Sequence, residues 1–324
     1  MKTYKDFYTL IEQRISALSF DGNPPELYDP LAYMLSLGGK RLRPVLVLMA
    51  NDIFGGDTEK AVSAALAVEV FHNFTLVHDD IMDKADIRRG KPTVHKKWNE
   101  TVGILSGDLM MIKATQLLCE TNSSGLKDLL KVFNTTAVEV CEGQQIDMNF
   151  ESRSDVSVDE YIQMITLKTA VLLGGSLKLG ALVAGASLEN ANYIYDFGKN
   201  IGIAFQIQDD LLDSFGEGDK VGKKIGGDIA ANKKTLLLIN AFEKADTLTR
   251  QQMEQLMHNT TVTVQQKIDG ILAIYNKLNV KDEANKLKEE YLKRAFAHLE
   301  KVEVEIDRKE VLKNTALDLM ERMS

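Results

Sequence analysis

The sequence predicts an all-α fold: a single-domain helical bundle over residues 1–324, of roughly ten or more helices. Three observations carry this. All five prolines (Pro24, Pro25, Pro30, Pro44, Pro92) fall in the first 92 residues. The long remainder lacks that helix breaker and is rich in Ala, Leu, Lys, Glu and Met, which favour helix. Apolar residues recur at helical spacing, and no alternating strands or Asn-Gly hairpin turns stand out.

Taken in order, the elements follow from local patterns. Pro44 is well placed to open a helix after "LGGKRLR". Ala61–Val77 carries the broad apolar stripes of a buried helix, and Ile271–Leu299 a narrower stripe with charged flanks. Breaks are expected at 19–30, 54–58, 121–125, 151–157, 215–228 and 257–261. Most are as short as helix–helix connections are, and no Gly/Ser or Pro-rich linker divides the chain. The exception is 215–228, "FGEGDKVGKKIGGD", long enough to suggest a functional lid.

Composition narrows the function classes. With 44% hydrophobic and 27% charged residues the chain has the balance of a soluble globular protein. A net charge of −8 disfavours a nucleic-acid partner, whose phosphates select basic surfaces. Two cysteines, Cys119 and Cys141, are too few for a disulfide framework or a Cys-rich metal site. The N-terminus has no apolar h-region, and no apolar run looks long enough to span a bilayer, so a cytoplasmic protein with no stable membrane insertion is expected.

Two acidic runs carry the chemistry. Asp79, Asp80 and Asp83 in "VHDDIMD" stand at i, i+1 and i+4, and Asp209, Asp210 and Asp213 in "QIQDDLLD" repeat that spacing. On a helix the first and last of each set stack, with the second about 100° around. Stacked like charges destabilise a helix by roughly 0.2–0.5 kcal/mol per pair when exposed, and by more near a core. One such run is an ordinary solvated helix end. Two, each closing an apolar helix, point to cation binding. Mg²⁺ suits them, taking one or two carboxylates plus phosphate oxygens and water, whereas an EF-hand needs alternating oxygen ligands and a closing Glu that neither run has.

Basic residues accompany both runs. Gly38-Gly39 followed by Lys40, Arg41 and Arg43 makes a plausible anion cradle. Arg88 and Arg89 follow the first acidic run; Lys223, Lys224, Lys233 and Lys234 surround the second. Lys168 is a lone cation in an apolar helix, readable on its own as a snorkelling lysine. His72 lies within about 20° of Asp79 and two turns below it, where a buried structural histidine is the ordinary reading. His78 points elsewhere and is read as structural. The arrangement suggests acids that bind metal, metal that binds diphosphate, and cations that bind what remains.

With these motifs in order, the sequence resembles the trans-isoprenyl diphosphate synthases (polyprenyl synthetases). The resemblance rests on "GGKRLRP" (38–44), "LVHDDIMDKADIRRGKPTVH" (76–95), "GQQID" (143–147), "KT" (168–169), "FQIQDDLLD" (205–213) and "GKKIGGDIAANKKT" (222–235), and covers nearly the whole chain. It implies the isoprenoid synthase fold, all-α around a central cavity between the two aspartate-bearing helices, in a homodimer. It implies head-to-tail transfer of an allylic group (C5–C15) to isopentenyl diphosphate. By that resemblance Asp79, Asp80, Asp83, Asp209, Asp210 and Asp213 would hold a cluster of about three Mg²⁺. Lys40, Arg43, His72 and Arg89 would hold isopentenyl diphosphate. Arg88, Lys168, Lys223 and Lys233 would hold the allylic diphosphate. Thr169 and Gln206 would face the developing carbocation, and Gln144 and Asp147 would line the site.

Product length is expected to be set on the first aspartate helix. Thr75 lies about 6 Å and Phe71 about 12 Å below Asp79 on ideal geometry, while Phe74 points roughly 140° away. In the resembled family the position of Phe74 often forms the floor. Small Thr75 and an uninterrupted "DDIMD" look more like a geranylgeranyl (C20) synthase, with farnesyl (C15) next. A terpene cyclase shares the fold but normally lacks both the second "DDLLD" type motif and the "GGKRLRP" cradle. A non-catalytic partner subunit would be expected to lose one of them.

Overall fold

The computed structural model describes residues 2–123, 125–216, 225–258 and 261–321, which are predominantly helical. The chain gathers into two compact units, each drawn from three stretches of sequence.

The first unit takes residues 1–135, 175–195 and 302–309. It holds α1 (Tyr4–Ser16), α2 (Pro25–Ser36), α3 (Leu42–Ile53), α4 (Thr58–Met82), α5 (Val94–Lys97), α6 (Glu100–Cys119) and part of α7 (Leu126–Glu151). Side chains cap the helix starts: Asp57 accepts from Glu59 N at 3.0 Å to open α4, and Asn99 from Val102 N at 2.9 Å to open α6. The core is α3 and α4. Val45, Val47, Leu48, Ala64, Ala65, Val68, Val70 and Phe71 are all buried, and each large apolar side chain so buried contributes roughly 1.5–3 kcal/mol. Close approach is needed where α9 (Val171–Val183) crosses α3: a Cβ on Gly180 would lie 2.0 Å from the Val47 carbonyl oxygen.

The second unit takes residues 136–174, 196–301 and 310–324. Its elements include the rest of α7, α8 (Val158–Ile165), a π-helical turn (Thr166–Ala170) and the later part of α10 (Leu188–Phe215). After these come α11 (Gly227–Ala230), α12 (Leu236–Lys244), α13 (Thr247–His258), α14 (Val264–Leu278) and α15 (Val280–Lys301). The last described element is α16 (Ile306–Glu321). The core joins Tyr161, Met164, Ile165, Ile203, Ile207, Leu211, Leu236, Leu237, Ile271 and Tyr275.

Several sequence expectations need correction. Residues 25–30 are not part of a break but open α2, with Pro24 at the cap and Pro25 in the first turn, where a missing N–H costs nothing. The stripe Ile271–Leu299 is two helices, split at Asn279, which takes the left-handed conformation (φ 53°) that Asn tolerates. Of the expected loop 215–228, Phe215 belongs to α10 and Gly227 and Asp228 to α11, while residues 217–224 lie outside the described ones. A two-residue antiparallel ladder, Ile87–Arg88 with Lys91–Pro92, was not expected at all. Its turn, Arg89-Gly90, has φ of 53° and 74°, as a type I′ hairpin requires.

The membrane expectation also changes. Three helical stretches, Thr58–Met82, Glu100–Cys119 and Val158–Val183, are long and apolar enough to cross a bilayer by length and composition. In the first and third, 67% of the most apolar window is buried inside the protein, so core packing accounts for their character.

Candidate active site

In the first unit the acidic run sits at the end of α4. Asp79 is half-buried, Asp80 is 2% exposed, and Asp83 is exposed and caps the helix. Acids are unfavourable at a helix C-terminus, where the carbonyl ends already carry negative charge. The end is closed by two backbone bonds, Ala85 N to Asp80 O (2.9 Å) and Lys84 N to Ile81 O (3.2 Å), with Lys84 left-handed (φ 52°). The following hairpin then folds back, and Arg88 grips Asp80 with both arms: Nε to Oδ2 and Nη2 to Oδ1, each 2.8 Å. Asp80 was expected to bind metal and Arg88 diphosphate. Here they bind one another.

Arg89, held left-handed by the same turn, donates to the Gly38 carbonyl. Its guanidinium lies against Gly39, where a Cβ would come within 2.7 Å of Nη2. The three cations of the cradle do not act alike. Arg41 is 4% exposed, and donates to Glu12 (2.6 Å), Glu69 (2.7 Å) and the Leu35 carbonyl (2.6 Å), so it is a brace rather than a ligand. Lys40 is exposed. Arg43 Nη1 donates to His72 Nε2 at 3.0 Å, which fixes His72 as an acceptor.

Electrostatics agree with that assignment. Burial, then Arg43, Arg89, Arg88 and Arg41, hold His72 well below the ordinary imidazole range, so it is neutral. Burial pulls Arg43 down to about 10 against the support of Glu69, which leaves it charged at neutral pH. Arg43 Nε is a buried donor with no partner. A charged, incompletely satisfied guanidinium beside a neutral imidazole is a ready anion site. The product-length candidates also lie on α4, Phe71 buried and Phe74 and Thr75 half-buried.

In the second unit the acidic run lies near the end of α10. Asp209 and Asp213 are half-buried and Asp210 is 4% exposed. Asp210 accepts from Tyr161 Oη (2.6 Å) and Leu236 N (3.1 Å) on Oδ2, and from Gln206 Nε2 (3.3 Å) on Oδ1. Burial pushes its carboxyl up to about 7. With both oxygens engaged, Asp210 organises its neighbours. Gln206 is thereby oriented with Oε1 toward Thr169 Oγ1, 3.5 Å away. Asp213 accepts from Asp228 N at 3.0 Å, and Lys233, exposed, lies 3.8 Å from the Asp228 carboxylate.

Lys168 and Thr169 sit in the π-helical turn, a feature often found at functional sites. Two glycines make room for it: a Cβ on Gly143 would be 2.2 Å from Lys168 N, and one on Gly202 2.6 Å from Ala170 Cα. Lys168 Nζ pairs with Asp147 at 2.6 Å, so two expected site residues meet. Gln144, half-buried, follows Gly143 on α7. Lys223 and Lys224 lie outside the described residues.

The donor set at both rows is all carboxylate oxygen. Among the described residues no three His, Cys, Asp or Glu side chains are gathered to hold a metal unaided. Mg²⁺ fits such residues, because it needs only one or two carboxylates when phosphate and water complete its shell. Sequence reasoning missed Tyr161, Glu69 and Asp228. No pattern in the chain separates Tyr161 from an ordinary core aromatic, and Glu69 is one acid in an apolar helix.

Residues 24–275 match the family model described as polyprenyl synthetase. A geranylgeranyl diphosphate synthase of Methanosarcina mazei is 45% identical over 223 residues, 68% of this chain and 69% of that one. A short chain isoprenyl diphosphate synthase of Methanothermobacter thermautotrophicus is 34% identical over 99% of this chain and 98% of its own. A crystal structure of a geranylgeranyl pyrophosphate synthase superposes with a TM-score of 0.94 at 42% identity, covering 100% of both chains. The chain belongs to the polyprenyl synthetase family, enzymes that transfer prenyl groups.

Proposed function

We propose that this protein joins isopentenyl diphosphate head-to-tail to an allylic diphosphate and releases a C20 product, with C15 next. The observation that carries the reading is the shared division of labour in the two acidic rows. In each, the middle aspartate is buried and engaged, and the outer two are more accessible. Asp79, Asp83, Asp209 and Asp213 would hold Mg²⁺, about three ions serving one reaction. When bound, the metal neutralises the diphosphate and assists its departure as a Lewis acid.

The chain's own residues do the rest. Arg43, with neutral His72, Lys40 and Arg89, holds the isopentenyl diphosphate. Lys168 binds the allylic diphosphate once it exchanges Asp147 for phosphate oxygens, and Lys233 and Arg88 add charge. Thr169 Oγ1 and the Gln206 Oε1 to which it donates would supply oxygen lone pairs to the allylic cation, and no side chain among them is an obvious base. The proton therefore leaves to the departing pyrophosphate. We further propose a cytoplasmic homodimer. Ile104, Leu105 and Ile112 on α6 are 46%, 53% and 56% exposed, an apolar face that a second copy would cover.

The test is incubation of the protein with labelled isopentenyl diphosphate and C5, C10 or C15 primers, with and without Mg²⁺. A Mg²⁺-dependent C20 diphosphate supports the reading. Cyclic hydrocarbon, or no condensation with any primer, overturns it.

A further inference from the structure

Four rings form a chain through the first unit. Phe133 of α7 meets Phe71 edge-on at 5.4 Å, Phe71 meets Phe74 at 5.5 Å, and Phe74 meets the His78 imidazole edge-on at 4.9 Å. Both ends are anchored. Phe133 and Phe71 are 3% and 1% exposed. At the other end His78 Nε2 lies 3.1 Å from the Ile104 carbonyl of α6, an acceptor, so that nitrogen carries the proton and donates. The Asp108 carboxylate is 3.8 Å from the same nitrogen. Gly107 makes the seat: a Cβ there would be 2.3 Å from Nε2. Any larger residue at 107 would displace the ring.

Phe74 is the half-buried member and has one ring on each side. Phe71 cannot give way, being packed between Phe74 and Phe133. The only neighbour in this chain of rings that sets how far Phe74 swings toward α6 is therefore His78. We propose that His78 is a product-length residue that acts through Phe74: its α6-anchored imidazole holds the phenyl ring as a wall against the growing prenyl chain. This rests on the prenyl-transfer reading above. The histidine beside the first acidic row then has a role distinct from metal and diphosphate binding. Removing one imidazole vacates about one ring of space, enough for roughly one further C5 unit once Phe74 rotates into it.

The experiment is chain-length analysis of products from labelled isopentenyl diphosphate and farnesyl diphosphate, with CD spectra to verify folding. His78→Ala is expected to give product one C5 unit longer than wild type. His78→Phe, which keeps a ring in the Gly107 seat, restores the wild-type length. Phe74→Ala also lengthens the product, and His78→Ala with Phe74→Ala lengthens it no further, because the histidine works through that ring. Should His78→Ala prove insoluble, His78→Asn keeps a polar side chain but, being shorter than the imidazole, reaches neither the Ile104 carbonyl nor Phe74, and gives the same lengthening. Unchanged product length in a folded alanine or asparagine variant overturns the proposal, as does a double variant longer than Phe74→Ala alone. Wild-type protein that makes no prenyl product instead overturns the function on which the proposal rests.

Discussion

The ends of α4 and α10 carry the same five-residue pattern, and the fold uses it in two ways. On α4 the middle aspartate meets a permanent charge: Asp80 is clasped by Arg88 from a hairpin only eight residues on. On α10 the middle aspartate meets neutral donors from distant sequence, Tyr161 of α8 and the Leu236 amide that starts α12. The first is a local clamp that fixes the turn bearing Arg89. The second is a hub that fixes Gln206 and the frame of the second unit. A repeated motif therefore need not mean repeated roles at every position.

The largest effects separate outer from middle positions. Asp79→Asn and Asp209→Asn are each expected to lower kcat by about 10²–10³, with little change in stability, since each removes a charge that stabilises the leaving group. Turnover and urea unfolding on the same preparations check this. Equal loss of stability in outer and middle variants would erase the distinction drawn here.

Next come the structural supports. Asp80→Ala leaves the Arg88 guanidinium without its carboxylate and is expected to cost about 1–3 kcal/mol, less than a wholly buried pair because Arg88 is partly exposed. On the other side Gly143→Ala drives a methyl into the Lys168 backbone and is expected to cost about 1–3 kcal/mol or more. It should also raise KM for the allylic substrate, because the π-helical turn carrying Lys168 must shift. Urea midpoints and allylic KM values measure the two.

The hub also predicts a pH response. Burial pushes the Asp210 carboxyl to about 7, so the folded protein keeps a proton that the unfolded chain releases above pH of about 4. Stability from this group is complete below the unfolded value and is lost as pH rises through 7. In metal-free buffer wild type should therefore lose stability relative to Asp210→Asn between pH 5 and pH 8, by a few kcal/mol at most. Parallel pH dependences for the two proteins would show that the carboxyl is ionised throughout.

Much of this was legible in the chain. Proline placement and apolar spacing suffice for the helices, and paired DDxxD runs with "GGKRLRP" suffice for the family, because those side chains at that spacing are specific to it. What was hidden depends on backbone geometry and long-range approach. The hairpin at 87–92 is invisible because Arg-Gly is a weak hairpin signal, and only its positive φ angles put Arg88 onto Asp80. Arg41 and Arg43 look alike in sequence; burial against Glu12 and Glu69 makes one a brace. Tyr161 and Asp210 are 49 residues apart, and no local rule joins them.

The smallest predicted effect tests whether the first acidic row is strained for function. Lys84 closes α4 in the left-handed region, where a residue with a Cβ is disfavoured by roughly 1–2 kcal/mol relative to glycine, offset in part by glycine's greater freedom when unfolded. Asn279 closes α14 in the same conformation, far from any site residue in sequence, and Asn pays less of that penalty. Lys84→Gly should therefore stabilise by about 0.5–1 kcal/mol, and Asn279→Gly by only a few tenths. If Lys84→Gly raises stability while lowering turnover, the lysine is kept at a helix end that glycine would suit better because its charge serves the neighbouring aspartates. If turnover is unchanged, the strained residue is incidental, and the contrast between the two ends lies wholly in how their middle aspartates are held.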